Sequence, residues 1–228
     1  MSKEESLEKS DVQRIMKTLP LQEINHMRRV SALVSILTAR LGESCPTHAQ
    51  KEDFPFYGQA SSYHDIGKAW VSNAILAKPE ALTVQEFAAI KLHPIYAREF
   101  FSRIKIGLFT GIPEHLLLLT SNSAVYHHEW WNGMGYPFGI SKENIPLIAR
   151  VTSVCDAYDT ITNERYYHAA CSHETACYEL EKNAGTQFDP EIAEVFLQYQ
   201  DETRILISRL FPQNIHTDEK IRKGAEHV

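Results

Sequence analysis

Residues 21–42 read LQEINHMRRVSALVSILTARLG, and this stretch decides the fold class. Apolar side chains recur in it every three or four positions, at Ile24, Met27, Val30, Val34, Leu37 and Leu41. That spacing is typical of one buried face of an amphipathic α-helix, and Gly42 is expected to end the helix. The same helix contains His26, which borders the apolar face.

Three further segments are predicted to be helical. Thr83 and Glu86 have the spacing of a capping box, and Pro94 is expected to kink or interrupt the helix that follows. Another helix is predicted from Ile145 to Thr162, with Pro146 in its first turn, and another from Pro190 to about Leu210. Since no alternating strand pattern competes, the fold class is predicted to be all-α.

Length and composition limit the class of protein. A chain of 228 residues with 43% apolar residues can bury one sizeable core. A net charge of -6 argues against a partner that is a nucleic acid polymer. No apolar run approaches the ~18 residues of a membrane span, and the N-terminus lacks the apolar core of a signal peptide, so the expected location is cytoplasmic.

The chain is expected to be one domain with short extensions. Residues 1–20 are predicted to be a helical N-terminal extension, residues 21–211 the catalytic domain, and residues 212–228 a solvated C-terminal tail. The four cysteines have no CxxC pairing and are expected to be reduced.

Histidines and carboxylates of the kind that bind metals fall within or beside these apolar segments. A lone histidine such as His26 or His93 is more often a hydrogen-bonded core or surface residue than a ligand. The adjacent pairs His64-Asp65 and His127-His128 are more informative, because imidazole and carboxylate together suit Fe, Mn or Zn, and a carboxylate can bridge two ions.

Several separated motifs, in order, resemble those of the HD-GYP domain, a bacterial branch of the HD metal-dependent phosphohydrolases. They comprise His26 with Arg29-Val30, HDIGK at 64–68, Lys78-Pro79, LTVQEF with KLHP ending at Pro94, HHE at 127–129, GMGYP at 133–137, IPLIAR at 145–150, DAYD at 156–159, Arg165-Tyr166 and GTQFDP at 185–190. The resemblance covers roughly residues 21–200 and implies a helical bundle and a role in bacterial signalling through cyclic di-GMP.

The resemblance also implies a binuclear metal centre. One divalent ion would be held by His26, His64, Asp65 and Asp156, and Asp65 would bridge to a second ion held by His93, His127 and His128. Iron is the expected metal, with manganese as the alternative. Two such ions can stabilise both oxygens of an in-line displacement at a phosphodiester and give a bridging hydroxide.

Other side chains are expected around this centre. Lys68 is predicted to be catalytic together with Asp65 by placing its ammonium near the phosphate, and Tyr136 and Arg165 are predicted to contact the substrate. Gln22, Glu129 and Asp159 are candidates for supporting the ligands, with Asp159 expected to hold Arg165 or a helix end. A partner protein could dock on the Gly135-Tyr136-Pro137 loop.

Some positions depart from the family pattern. Many members have a glutamate four residues before the first histidine, where it supports a third metal, but here the residue is Gln22. A neutral amide is a poorer ligand, so two ions are expected, and the neighbouring Glu23 is an imperfect substitute. His168 stands where a basic residue is common, and Asn132 where an aspartate is common.

The leading functional hypothesis is a phosphodiesterase that hydrolyses cyclic di-GMP to pGpG, and on to GMP. Three alternatives stay open. The substrate could be another cyclic dinucleotide such as cyclic GMP-AMP, the protein could be a non-catalytic module that binds a cyclic dinucleotide, or it could be a general HD-type nucleotidase. The last is the weakest, because HDIGK alone would suffice for a nucleotidase and the sequence also has the HHE, GMGYP and GTQFDP segments.

Overall fold

The computed structural model describes residues 10–44, 51–164 and 170–212. Within these ranges the chain forms no β-strand, only an isolated bridge between Ala184 and Phe188, and the prediction of an all-α fold is confirmed. The α-helices are α1 (Asp11–Met16), α2 (Leu21–Ser44), α3 (Phe54–Ser61), α4 (Asn73–Leu76), α5 (Val84–Ile90), α6 (His93–Lys105), α7 (Glu114–Tyr126), α8 (Leu147–Thr162), α9 (His173–Lys182), α10 (Pro190–Gln198) and α11 (Gln200–Leu210). Short 3₁₀ segments occupy Lys51–Asp53, Ile66–Trp70 and Lys142–Asn144.

Helix α2 forms the centre of the bundle and packs against α3 and α8. Of its predicted apolar face, Ile24 is half-buried and the other five side chains are buried: Met27, Val30, Val34, Leu37 and Leu41. The prediction that Gly42 ends this helix is wrong, since the helix continues to Ser44. Gly42 has no positive φ, so nothing in the backbone there requires the chain to leave the helix.

The other helix predictions hold in outline and differ at their ends. Thr83 and Glu86 form the predicted capping box of α5. Pro94 lies in the first turn of α6, where a backbone N–H has no intrahelical partner, so its missing N–H costs no hydrogen bond. The helical path is interrupted just before Pro94, between α5 and α6. Pro146 precedes α8 as its cap instead of lying in its first turn.

The single helix predicted from Pro190 to about Leu210 is two helices, α10 and α11. They meet at Tyr199, whose backbone leaves helical angles with φ −110° and ψ 19°. The guanidinium of Arg40 lies 5.1 Å from the centre of the Tyr199 ring, and this contact holds the corner against α2.

The predicted extension and tail fall partly outside the described residues, which omit residues 1–9 and 213–228. Helix α1 buries Val12 in a cluster with Ile66, Phe100 and Phe101.

No helix in the described ranges is both long enough and apolar enough to cross a lipid bilayer.

Candidate metal centre

Five parts of the bundle meet around one point and bring together all seven predicted metal ligands. They are α2, the turn that joins α3 to the 3₁₀ segment Ile66–Trp70, the start of α6, the end of α7, and the middle of α8. In the same order they contribute His26, then His64 and Asp65, then His93, then His127 and His128, then Asp156. The donor atoms form two groups, and within each group every atom lies within 4.8 Å of the others.

The first group consists of His26, His64 and Asp156. Nε2 of His26 lies 2.9 Å from Oδ1 of Asp156 and 3.3 Å from Nε2 of His64. Both imidazoles are buried, and the Asp156 side chain is 16% exposed. The group therefore offers two nitrogens and one carboxylate oxygen, and only the carboxylate is partly exposed.

The second group consists of Asp65, His93, His127 and His128. Nε2 of His93 lies 3.2 Å from Oδ1 of Asp65 and 3.5 Å from Nε2 of His127. The ring centres of His127 and His128 are 4.0 Å apart. Three imidazoles thus surround one oxygen of the aspartate.

Asp65 lies between the two groups and presents a different oxygen to each. Its Oδ2 is 3.4 Å from Nε2 of His64 and 3.6 Å from Nε2 of His26. Its Oδ1 faces His93 at 3.2 Å and His127 at 3.8 Å. The Asp65 carboxylate therefore has the placement that a bridge between two cations requires.

Hydrogen bonds at the far side of the rings fix how the imidazoles are protonated. Nδ1 donates to a backbone carbonyl in His64 (Ser61, 3.0 Å), in His93 (Ile90, 2.7 Å) and in His127 (Ser123, 2.9 Å). Since a carbonyl only accepts, each Nδ1 must carry the proton, and a neutral ring then has its lone pair on Nε2. That lone pair points into the centre and is available to a metal.

The imidazole nitrogens and the carboxylate oxygens that face the centre are suited to binding cations, because as acceptors they cannot hydrogen-bond to one another. In neutral rings the facing Nε2 atoms of His93 and His127, 3.5 Å apart, are both acceptors. Oδ1 of Asp65 is buried and has no hydrogen-bond donor among the described residues. Buried acceptors that face each other are costly unless a positive charge lies between them, so the donor set matches a divalent transition metal in each group.

The pKa values of His93 and His127 agree with this reading, whereas that of His64 does not, because burial would lower it but the adjacent Asp65 carboxylate outweighs burial and raises it. Burial lowers the pKa of His93 to about 4 and that of His127 to about 3, so both are neutral near pH 7. Burial would raise the pKa of the Asp65 carboxyl, but Lys68 and His64 outweigh burial and hold it well below the usual value. Neutral imidazoles and an ionised carboxylate are the forms that bind metals.

Lys68 is held beside Asp65 by Glu23, which was expected only as an imperfect substitute at the neighbouring position. Its Nζ lies 2.7 Å from Oδ2 of Asp65 and 2.8 Å from Oε2 of Glu23, which is itself 4% exposed. Glu23 falls on the buried stripe of α2, three residues before His26 and four before Met27. A charged residue on an otherwise apolar stripe is the sequence pattern that indicates this buried contact.

Gln22, a candidate for supporting the ligands, makes a side-chain hydrogen bond to the chain after α8. Its side-chain amide donates to the backbone carbonyl of Glu164, 2.9 Å away, and no hydrogen bond from Gln22 to a predicted metal ligand is made among the described residues. The buried residues at the start of α2 are Glu23, His26 and Met27, and Gln22 is half-buried one turn before His26.

Asp159 supports the first group through His26. Its Oδ2 accepts from Nδ1 of His26 at 2.6 Å, and Arg29 binds both carboxylate oxygens at 2.7 and 2.9 Å. Asn163, at the end of α8, also donates to it. The expected partner Arg165 lies outside the described residues, as does His168.

Glu129 does not orient a ligand imidazole in the hydrogen bonds that the described residues make. Its Oε1 accepts from the backbone N–H of Phe138 at 2.7 Å. Glu129 follows the second histidine of the HHE motif, and its carboxylate turns toward the loop that comes after Pro137. It therefore anchors that loop to the end of α7.

The Gly-Tyr-Pro loop lies on the metal centre. The Tyr136 ring stacks on the His128 ring with centres 4.7 Å apart, and the Tyr136 N–H donates to the His128 carbonyl at 3.0 Å. A Cβ on Gly135 would lie 2.2 Å from the nitrogen of Trp130, so only glycine permits this approach. The N–H groups of Trp131 and Asn132 donate to carbonyls in the 185–190 motif, which braces the loop.

Known proteins resemble this chain over most of its length. The HD domain family matches residues 12–192. A probable cyclic di-GMP phosphodiesterase of Vibrio cholerae is 32% identical over 76% of this chain and 39% of its own length. A 3'3'-cGAMP-specific phosphodiesterase of the same organism is 33% identical over 63% of this chain and 26% of its own length. This chain thus spans less than half the length of both relatives.

A solved structure shares the fold. It is an HDG"Y"P protein from Bdellovibrio bacteriovorus, which superposes with a TM-score of 0.57 at 18% identity and covers 83% of this chain and 60% of that one.

Proposed function

The chain belongs to the HD domain family, and from this membership and the geometry of the centre we propose that it is a metal-dependent phosphodiesterase for cyclic dinucleotides. The two oxygens of Asp65, each facing its own group of imidazoles, are the observation on which the proposal rests. A carboxylate shared in this way suits hydrolysis of a phosphodiester, in which an attacking and a leaving oxygen both need stabilisation.

The residues of the chain have separate tasks in this reaction. His26, His64 and Asp156 would hold one ion, His93, His127 and His128 the other, and Asp65 both. Two divalent ions in such a centre supply charge neutralisation for the phosphate and lower the pKa of a bound water. Tyr136 covers the His128 side of the centre and limits access of solvent.

Cyclic di-GMP is the proposed substrate, with pGpG and then GMP as products. Several relatives bear the name cyclic di-GMP phosphodiesterase, which favours this nucleotide. Cyclic GMP-AMP is the second candidate, because a relative of equal identity is named for that substrate. A non-catalytic binding module would bind the nucleotide without turnover.

The test is turnover by the purified protein. The chain is purified without oxygen, its metals are counted, and cyclic di-GMP and 3'3'-cyclic GMP-AMP are followed separately by chromatography. Conversion of cyclic di-GMP to pGpG or GMP supports the proposal, and faster conversion of cyclic GMP-AMP favours the second candidate. Binding without hydrolysis by a fully metallated sample overturns the enzymatic function.

We propose iron as the metal, with manganese as the alternative, and two ions per chain. Imidazole-rich groups with carboxylates suit these ions. The side-chain amide of Gln22 is neutral and donates to the carbonyl of Glu164, which supports two ions and not three. Three tightly bound ions per chain would contradict this stoichiometry.

Removing one histidine from each group is expected to remove different ions. His26→Ala should lose the first ion and keep the second, while His93→Ala should do the reverse, because the groups share only Asp65. Each variant is expected to bind about one ion per chain by elemental analysis after dialysis. Loss of both ions from both variants would mean that the centre forms only as a unit.

Lys68→Met is expected to lower kcat about 100-fold with the metals retained, since one donor aimed at developing charge is worth about that much. The substitution leaves Glu23 buried without its cation, so the matched variant is Glu23→Gln combined with Lys68→Met, which removes both charges. Steady-state rates and metal counts are measured for both. Wild-type kcat in the double variant would exclude Lys68 from the reaction.

We also propose that the Gly135-Tyr136-Pro137 loop contacts a signalling protein. Met134 beside it is 76% exposed, and Phe138 is 42% exposed. Apolar side chains on a braced loop suit a docking surface. A pull-down with Met134→Ser, which leaves Tyr136 in place, tests this contact independently of activity.

A further inference from the structure

Lys91 lies near the metal centre and has no role in the reaction proposed above. Lys91 ends α5 and precedes the metal-binding His93 by two residues. Its Nζ lies 4.4 Å from the centre of the Tyr136 ring and 5.9 Å from that of Phe87. Because Tyr136 stacks on His128, the ammonium lies at most about 9 Å from the centre of the His128 ring.

Three other cations of the described residues are each paired with a carboxylate. Lys68 is paired with Asp65 and Glu23, and its charge is more than balanced by theirs. Arg29 is paired with Asp159. Lys78 is paired with Glu86 at 2.7 Å.

Lys91 differs from these residues. No carboxylate of the described ranges lies within 4.0 Å of its ammonium, which instead faces an aromatic ring. A cation–π contact at a partly exposed site is weak, about 0.5–1 kcal/mol, and leaves the ammonium able to donate to an anion. The residue is half-buried, so part of its side chain is accessible to such an anion.

The substrate class supplies such an anion. A cyclic dinucleotide has two phosphodiester groups, each with one negative charge, and only one of them can lie on the two ions during a single hydrolysis. We propose that Lys91 binds the second phosphate, the one that is not being cleaved. This inference rests on the proposed function and adds a second anion subsite, with Tyr136 between it and the metal centre.

The expected effect is on substrate binding. Lys91→Met keeps the aliphatic stem and removes the charge, and should raise KM for cyclic di-GMP about 10- to 100-fold with kcat nearly unchanged, since a hydrogen bond to a charged group is lost. Bis(p-nitrophenyl) phosphate has a single phosphodiester, so its KM should not change. Lys91→Arg should retain most of the affinity.

The control is Lys105→Met, which removes a lysine in the last turn of α6. Unfolding temperature and metal content are measured for every variant, because a purely structural role for Lys91 would lower them. The inference is overturned if Lys91→Met leaves KM for cyclic di-GMP unchanged, or raises KM for both substrates equally, or lowers kcat alone.

Failure of the proposed function has a different signature. A wild-type protein that cleaves bis(p-nitrophenyl) phosphate but neither binds nor cleaves a cyclic dinucleotide overturns both statements. A wild-type protein that cleaves cyclic di-GMP, with a Lys91→Met variant of equal KM, overturns only the role of Lys91.

Discussion

Replacing Asp65 with asparagine is expected to abolish turnover of cyclic di-GMP and to deplete both metal ions. The carboxylate presents Oδ2 to His64 and His26 and Oδ1 to His93 and His127, so one substitution weakens both groups. An asparagine keeps the shape but loses the negative charge and one acceptor oxygen. A metal ion supplies several kcal/mol of transition-state stabilisation, and each ~1.4 kcal/mol is a factor of ten, so the loss should be at least about 10³-fold.

A second buried aspartate provides the matched control for this variant. Asp189 is 4% exposed, binds Arg150 at 2.5 Å and caps α10, outside the metal centre. Asp189→Asn therefore costs a buried ion pair, keeps a side-chain oxygen that can cap α10, and touches no predicted ligand, so it should lower the unfolding temperature while the metal content stays unchanged. Both variants are compared by elemental analysis and by chromatography of the products. Two retained ions and near wild-type turnover in Asp65→Asn would overturn the bridging assignment.

The repeat of apolar residues predicted the helices of the fold but not their exact ends. In α2 five of the six predicted apolar positions are buried, because residues spaced three to four apart lie on the same face of a helix. Gly42 stays helical and α10 separates from α11 at Tyr199, because these ends depend on contacts such as that of Tyr199 with Arg40. Packing partners distant in sequence are not visible in a local pattern.

The motif resemblance predicted the set of metal ligands, but it did not predict the hydrogen bonds that orient them. No periodicity could pair Nδ1 of His64 with the Ser61 carbonyl, since that bond depends on the path of the turn after α3. Glu23, an imperfect substitute for a ligand at position 22, lies on the buried stripe of α2 and its side chain is directed inward. The side chain that holds Lys68 was therefore available from the sequence by geometry alone.

Gly67, the glycine of the HDIGK motif, lies in the 3₁₀ segment that follows α3 and affects how closely this segment packs on α6. Gly67 lies where the 3₁₀ segment Ile66–Trp70 crosses the start of α6. A Cβ there would lie 1.9 Å from the carbonyl oxygen of His93 and 2.9 Å from the backbone nitrogen of Ala97. Both are backbone atoms, which cannot rotate out of the way as a flexible side chain can.

Gly67→Ala is therefore expected to push the 3₁₀ segment away from α6. Overpacking of this kind costs about 1–3 kcal/mol, which corresponds to roughly 2–12 °C in the unfolding temperature of a domain of this size. The shift separates Asp65 from His93, whose facing atoms are 3.2 Å apart, so the second ion should be lost more readily than the first. Thermal unfolding and metal counts measure the two effects.

Gly42→Ala is the matched control for this substitution. A Cβ at Gly42 would lie 3.6 Å from the Phe54 ring, an ordinary contact, and alanine in a helix is favoured over glycine by about 0.5–1 kcal/mol. Gly42→Ala should leave the metals in place and hold or raise the unfolding temperature. If Gly67→Ala behaved like Gly42→Ala, the crossing at Gly67 would not be rigid, and the spacing of Asp65 and His93 would have to be maintained by the ions themselves.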